Sequence, residues 1–359
     1  MNFCPSLDPK PMQAIHEAAE STQRMIYRVA AQTIVVEALD AWAARVIERL
    51  FAGWYLIPCS ATPHGSLDAS LTPDIVIRSS VKPPEIPQGW TQFEIAGAGN
   101  CFTDGKTSYI DIEGSMVAIA RPGHAVVEVW TNGMLEIQSP ALTRVVTYAL
   151  AAALRRRRLF ELHSGAVIDP ESGQGVLVIG PSGSGKSTLT VQLAAAGWSF
   201  LTDDVLVLGA EGLEVKAWPM RRCFAITAET FAASNFLQTR ASLGYMQSRG
   251  SGEKYVKRQF FPHSVFNSEF KEHCIPQKLF FSQLSGGERS QVLPLSSAET
   301  MARLIRMNPW SCYDRATAAE HLAVLSALVK QSTGYSLLAG KDLLDTETSA
   351  NLVAGYTRD

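Results

Sequence analysis

The sequence predicts an α/β fold in two parts: a smaller N-terminal α+β module over residues 1–138 and a larger α/β domain over residues 139–359. Three observations lead there. A length of 359 residues exceeds one average domain. Short β-like segments separated by turn dipeptides crowd the stretch from 74 to 130. Beyond residue 163 an apolar strand, a glycine-rich loop and a helix follow one another without interruption.

In the first part, residues 34–37 read as a short strand. Residues 38–52 read as an amphipathic helix with Trp42, Val46, Leu50 and Phe51 along one side. The Pro/Ser-rich stretch 58–87 carries one strand, 74–78, and further strands are expected at 93–95, 107–112, 116–120 and 125–130. Turns at Asp104-Gly105, Glu113-Gly114 and Pro122-Gly123 make the later ones an antiparallel meander. This module carries no chemical motif; recognition, homo-oligomer formation and a purely structural role all fit it.

From 140 to 158 the pattern is helical and ends in Arg155, Arg156, Arg157 and Arg158. Cations in a last turn offset the helix dipole, so a solvated cap is the favoured reading, with a basic lip for phosphates or an acidic substrate as the alternative. Residues 166–168 and 176–179 then form two adjacent strands joined by the turn-rich 169–175. A helix over 189–196 stops at Gly197, and a strand over 200–202 leads into Asp203-Asp204 and continues through 205–208.

Composition narrows the class. Apolar residues make up 46% and charged ones 18%, an ordinary globular balance. A formal charge of −2 argues against a chain built to bind nucleic acid or anionic membrane. The six cysteines, Cys4, Cys59, Cys101, Cys223, Cys274 and Cys312, form no CxxC pair and no zinc-ligand spacing, so reduced and mostly buried thiols are expected. The longest apolar stretch, 145–154, is too short to span a bilayer, and a cytoplasmic location is the expectation.

The stretch Gly180-Pro181-Ser182-Gly183-Ser184-Gly185-Lys186-Ser187 satisfies the Walker A pattern G-x-x-x-x-G-K-[ST] between a strand and a helix. Its glycines permit a backbone path that turns several N–H groups inward, and the following helix adds its positive end. Lys186 suits the β- and γ-phosphates of ATP, Ser187 suits magnesium, and Thr188 offers a donor near the α-phosphate. Asp203-Asp204 returns one helix later. Two adjacent carboxylates at a strand end can divide labour, one holding magnesium and the other taking a proton from an attacking hydroxyl. His163 precedes the paired strands, a position that can bring it beside the phosphates.

Residues 163–208 resemble the C-terminal catalytic domain of HPr kinase/phosphorylase and its kinase-like relatives. The resemblance lies in His163-Ser164-Gly165, the paired strands, the phosphate loop and the return from Gly197 to Asp203-Asp204. It is similar also to the nucleotide core of phosphoenolpyruvate carboxykinase. The resemblance implies a P-loop kinase core with Asp203 as catalytic base, Lys186 and Ser187 on phosphate and Mg2+, and His163 in the site; the division of labour between the paired carboxylates then leaves Asp204 to position the metal. It also implies a serine or threonine hydroxyl on a peptide or protein as acceptor. One departure is visible: where that family carries an acidic-Ile-Arg-Gly-Leu-Gly signature, this chain has Ala217-Trp218-Pro219-Met220-Arg221-Arg222-Cys223-Phe224-Ala225, without the glycines. HPr as the acceptor and a reverse phosphorylase activity are therefore not carried over.

Two other classes fit parts of the sequence: a nucleotide-dependent switch or accessory ATPase, and a small-molecule carboxykinase. The second needs further metal- and carboxylate-binding residues. Arg249–Lys254 with Lys257 and Arg258 reads as a basic loop, more simply solvated than functional, and Arg221 and Arg222 are further basic candidates. Leu284-Ser-Gly-Gly-Glu288 imitates a transport-ATPase signature. No Asp-Glu strand follows it, so a hairpin turn after strand 278–282 is expected, then a strand at 292–294 and a helix before 307. The tail is helical in pattern, especially 316–330.

Overall fold

The computed structural model describes residues 23–30, 32–38, 57–58, 74–80, 82–95, 99–112, 116–120, 126–131, 140–220, 223–240, 257–266 and 271–358. Its first sheet holds β1 (Gln23–Val29), β2 (Gln32–Ala38), β3 (Ile57–Pro58), β4 (Ile75–Ser79), β5 (Thr91–Ile95), β6 (Gly99–Thr103), β7 (Ser108–Ile112), β8 (Met116–Ala120) and β9 (Val126–Thr131). They lie in the order β3-β1-β2-β4-β9-β8-β7-β6-β5. The strands from β5 to β9 are the antiparallel meander the turn dipeptides predict. Period-2 alternation decides the faces: Ile110 and Ile112 point inward while Tyr109 and Asp111 are half-buried. Helix α1 (Pro140–Arg156) covers the buried face, with Val145, Ala149 and Leu150 in one core with Ile75, Ile77 and Val127. Of the helix expected over 38–52, Ala38 is the last residue of β2, and residues 39–52, like Arg221, Arg222 and the 249–254 loop, lie outside the described residues.

The second sheet contains β10 (Phe160–Ile168), β11 (Gly175–Ile179), β12 (Ser199–Thr202), β13 (Val205–Glu211) and β14 (Glu214–Pro219). After the separate ribbon of β15 (Phe224–Thr227) and β16 (Lys257–Phe260), it is completed by β17 (Pro276–Leu284), β18 (Gln291–Leu295) and β19 (Thr333–Ala339). The order is β14-β13-β10-β11-β17-β19-β18, with β12 also on β10. Strands β11, β17 and β19 are parallel, so their carboxyl ends share one side. The helices are α2 (Lys186–Ala195), α3 (Ala228–Ala233), α4 (Asn235–Arg240), α5 (Pro262–Val265), α6 (Ser297–Met307), α7 (Trp310–Tyr313), α8 (Ala318–Gln331) and α9 (Thr346–Thr357). Leu304 of α6 and Leu325 and Leu328 of α8 pack one face of the sheet. Leu189 and Leu193 of α2 and Val353 of α9 pack the other. That double cover is why Gly175-Val-Leu-Val-Ile179 is buried throughout and reads as a continuous apolar run. The fold is mixed α/β, and no helix of the described residues is long and apolar enough to cross a membrane.

Three local expectations change. Residues 285–290 turn, but β17 and β18 do not form a hairpin: β19 lies between them, parallel to β17 and antiparallel to β18. The Ser-Gly-Gly loop therefore crosses the end of β19, held there by Ser285 N–H on the Ala339 carbonyl at 2.9 Å. The strand after 202 does not run on unbroken, because Asp203 and Asp204 leave the ladder between β12 and β13.

The arginine run at the end of α1 is not a solvated cap. Arg155 Nε and Arg156 Nη1 reach the buried Asp314 carboxylate at 2.8 and 2.7 Å, and Arg155 also holds Glu161. Arg157 pairs with Asp74 at 2.6 Å, and only Arg158 is largely exposed. The Arg155 guanidinium lies 4.5 Å from the Trp310 ring centroid. Three arginines of one turn thus tie the first sheet, β10 and the α7–α8 connection together. Acidic partners, two of them distant in sequence, claim the charges that would otherwise offset the helix dipole.

Candidate phosphate-binding site

The site begins where β11 ends. After Ile179 the chain leaves the sheet at Gly180, turns through Gly183 (φ 80°) and Gly185 (φ 90°), and enters α2 at Lys186. Only glycine adopts those left-handed angles cheaply, and they allow the backbone to curl back on itself. Gly180 serves a second need: a Cβ there would stand 2.6 Å from both Ser184 Oγ and the Ser282 carbonyl oxygen. Lys186 is buried, and its Nζ donates to the Gly180 and Pro181 carbonyls at 2.8 and 2.9 Å. The ammonium therefore folds over the loop that a phosphate would fill, and an incoming anion exchanges charged oxygens for neutral ones.

Two residues before Gly165 on the same face of β10 stands His163. A Cβ on Gly165 would overlap the Thr190 hydroxyl of α2, so the absence of a side chain lets this helix lie directly on β10. The loop helix and His163 are drawn together by that close approach. Across the strand pair, the bulge at Asp203-Asp204 supplies the carboxylates. Ser164 N–H donates to the Asp204 carbonyl at 2.9 Å, which keeps the bulge attached to β10. His163 Nε2 and Asp204 Oδ1 are 2.7 Å apart, with side chains 39% and 27% exposed.

The two aspartates have different surroundings. Asp203 is 1% exposed, and its Oδ2 accepts from the Ala225 N–H of β15 at 3.1 Å. Asp204 is the more open group. Ser187 Oγ lies 3.4 Å from the Asp203 carbonyl, so the loop serine and the aspartate bulge adjoin. Thr188 Oγ1 meets Thr230 Oγ1 of α3 at 3.0 Å. Ser182 is exposed at the loop tip. The fold thus gathers His163, Ser182, Ser184, Lys186, Ser187, Thr188, Asp203 and Asp204 around one glycine-rich turn at the carboxyl end of a parallel strand, the usual ligand side of an open α/β sheet.

Two residues beside the loop carry no signal in the sequence. Thr230 carries no local signature. Ser282 of β17 donates its hydroxyl to the Ser184 carbonyl at 2.7 Å from 98 residues away. Arg258 lies over the Phe231 ring, 4.5 Å from its centroid. Among the described residues no cluster of three or more His, Cys, Asp or Glu side chains is arranged to hold a metal ion. Ser187 and Asp204 carry oxygen donors of the kind that magnesium would take beside nucleotide phosphates.

No family model matches the chain. No curated protein matches it either. Among solved structures the chain is similar to the Hpr(Ser) kinase/phosphatase from Coxiella burnetii, at 17% identity with a TM-score of 0.21. The match covers 34% of this chain and 58% of that one, so it spans less than two thirds of the relative's length. A likeness of that extent leaves the function to be argued from the chain's own residues.

Proposed function

We propose that this chain is an ATP- and Mg2+-dependent kinase that transfers the γ-phosphoryl group to a hydroxyl, on serine or threonine of a peptide or protein. The observation that carries the reading is the meeting of the Lys186 loop with the Asp203-Asp204 bulge and His163, one strand apart. Its core is of the HPr kinase/phosphoenolpyruvate carboxykinase type, residues 139–359, whose first helix α1 packs on the sheet of the accessory module, residues 1–138. The acceptor class rests on the resemblance of residues 163–208.

The chain's groups divide the work as follows. Loop N–H groups and Lys186 hold the polyphosphate and offset charge on the transferred group. Ser187 and Asp204 would hold magnesium, which when bound would supply positive charge beside the phosphates. As the acceptor oxygen bonds to the γ-phosphorus, Asp203 takes its proton and the bond to the β-phosphate oxygen breaks, releasing ADP. His163 orients Asp204. One observation favours exchanging the roles of the aspartates: Asp204 is the more exposed carboxylate and is the one beside the histidine.

The test is label transfer. The protein and Lys186→Ala are incubated with magnesium, γ-labelled ATP and serine- or threonine-containing peptides. Label on a peptide with the parent protein alone supports the reading. Free phosphate as the sole product with every acceptor refutes it and leaves an ATPase or switch.

A further inference from the structure

Strand β17 belongs to the sheet, yet its last residues touch the phosphate loop at three points. Ser282 Oγ donates to the Ser184 carbonyl at 2.7 Å. The Ser282 carbonyl lies 2.6 Å from where a Cβ on Gly180 would stand. The Leu284 side chain would stand 3.3 Å from a Cβ on Gly185. These contacts grip the first glycine, the middle and the last glycine of the loop. Ser282 is only 3% exposed, so its hydroxyl bond is sheltered from water.

A second observation points toward a ligand. Ser184 is 5% exposed, and its own hydroxyl has no hydrogen-bond partner. A buried hydroxyl left unpaired is unfavourable by itself, and such groups mark sites that something else completes. The Ser184 oxygen points across the loop toward Gly180, 2.6 Å from a Cβ built there. Ser282 fixes the direction of the Ser184 carbonyl, and the Ser184 hydroxyl beside Gly180 is left a donor with no internal acceptor.

We propose that Ser282 is a positioning residue for polyphosphate binding: it holds the Ser184 carbonyl out of the anion nest and so aims the Ser184 hydroxyl and the loop N–H groups at phosphate. This rests on the nucleotide reading above. Ser282 itself touches no phosphate and acts through Ser184.

The test measures MgATP affinity by calorimetry, with melting of the nucleotide-free protein alongside, for Ser282→Ala, Ser282→Thr, Ser184→Ala and Lys186→Ala. Ser282→Ala is expected to weaken MgATP about tenfold, the scale of one buried hydrogen bond. Ser282→Thr, which keeps the hydroxyl, is expected to stay within about threefold of the parent. Ser184→Ala is expected to weaken MgATP several-fold while the nucleotide-free protein melts no lower, because its hydroxyl has no internal bond to lose. If Ser282→Ala does not fold, the Ser282→Thr and Ser184→Ala results decide. Parent-like affinity in Ser282→Ala or Ser184→Ala, with Lys186→Ala impaired, overturns the assignment alone. Parent-like affinity in Lys186→Ala overturns the nucleotide reading and this inference with it.

Discussion

His163 Nε2 lies 2.7 Å from Asp204 Oδ1, joining the fourth residue of β10 to the bulge that interrupts the neighbouring strand. The pair links the histidine to the more exposed of the two adjacent carboxylates. Replacing His163 with Gln keeps a donor of similar reach but not the imidazole. We expect ATP affinity within about threefold of the parent and phosphoryl transfer lower by about 100-fold, the lower range for a group that moves or orients a proton. Steady-state kinetics with a peptide acceptor, beside calorimetric ATP binding, checks it.

The arginine cluster makes a stability statement. Asp314 is buried between Arg155 and Arg156. Burial pushes its carboxyl up, but the two guanidiniums outweigh that and hold it below the usual carboxylate range. Its contribution is therefore present at neutral pH and lost as pH falls through that depressed value. Asp314→Asn leaves Arg155 buried and partly uncompensated, and is expected to lower unfolding free energy by about 3 kcal/mol in urea titrations.

Buried His321 acts in the opposite sense to a salt-bridged histidine. It stacks on Phe160, with ring centroids 4.4 Å apart, and neither ring nitrogen has a hydrogen-bond partner. Burial, with the positive charge of Arg155, pushes the ring down to about 4. The unfolded chain takes up this proton near pH 6.5 and the folded chain does not, so stability falls as pH drops from 6.5 toward 4. His321→Phe is expected to remove about 1–2 kcal/mol of the stability lost between pH 7 and pH 5. Melting temperatures of both proteins at the two pH values provide the measurement.

Arg158 ends α1 in a left-handed conformation, φ 60°, that favours glycine. Its ion pair with Glu320, 3.9 Å and exposed, adds little. Arg158→Gly is therefore expected to be neutral or to raise stability by up to about 1 kcal/mol, read from denaturant midpoints.

How much of this was legible in the sequence varies with the range of the interactions. The strand, loop and helix around Lys186 are local, and the glycine spacing states its own chemistry. The meander from β5 to β9 was readable from turn dipeptides and alternation. Strand β1, Gln-Arg-Met-Ile-Tyr-Arg-Val, was missed because polar residues dilute its apolar pattern. Strand β19 was hidden in a stretch read as helical, and its insertion beside β17 overturned the expected hairpin. Arg155 and Arg156 could not be interpreted without Asp314, which lies 159 and 158 residues away. Ser282 was likewise invisible, since its partner Ser184 belongs to a loop far earlier in the chain.

In the proposed function the phosphate loop, His163 and the aspartate bulge move a phosphoryl group to a hydroxyl rather than to water. Phosphorus NMR of a reaction with magnesium, ATP and a serine peptide tests this in one spectrum series. A phosphoester signal that grows one-for-one with ADP and is absent with Asp203→Asn is the expected result. Inorganic phosphate accounting for all the ADP formed, with every acceptor offered, would contradict it.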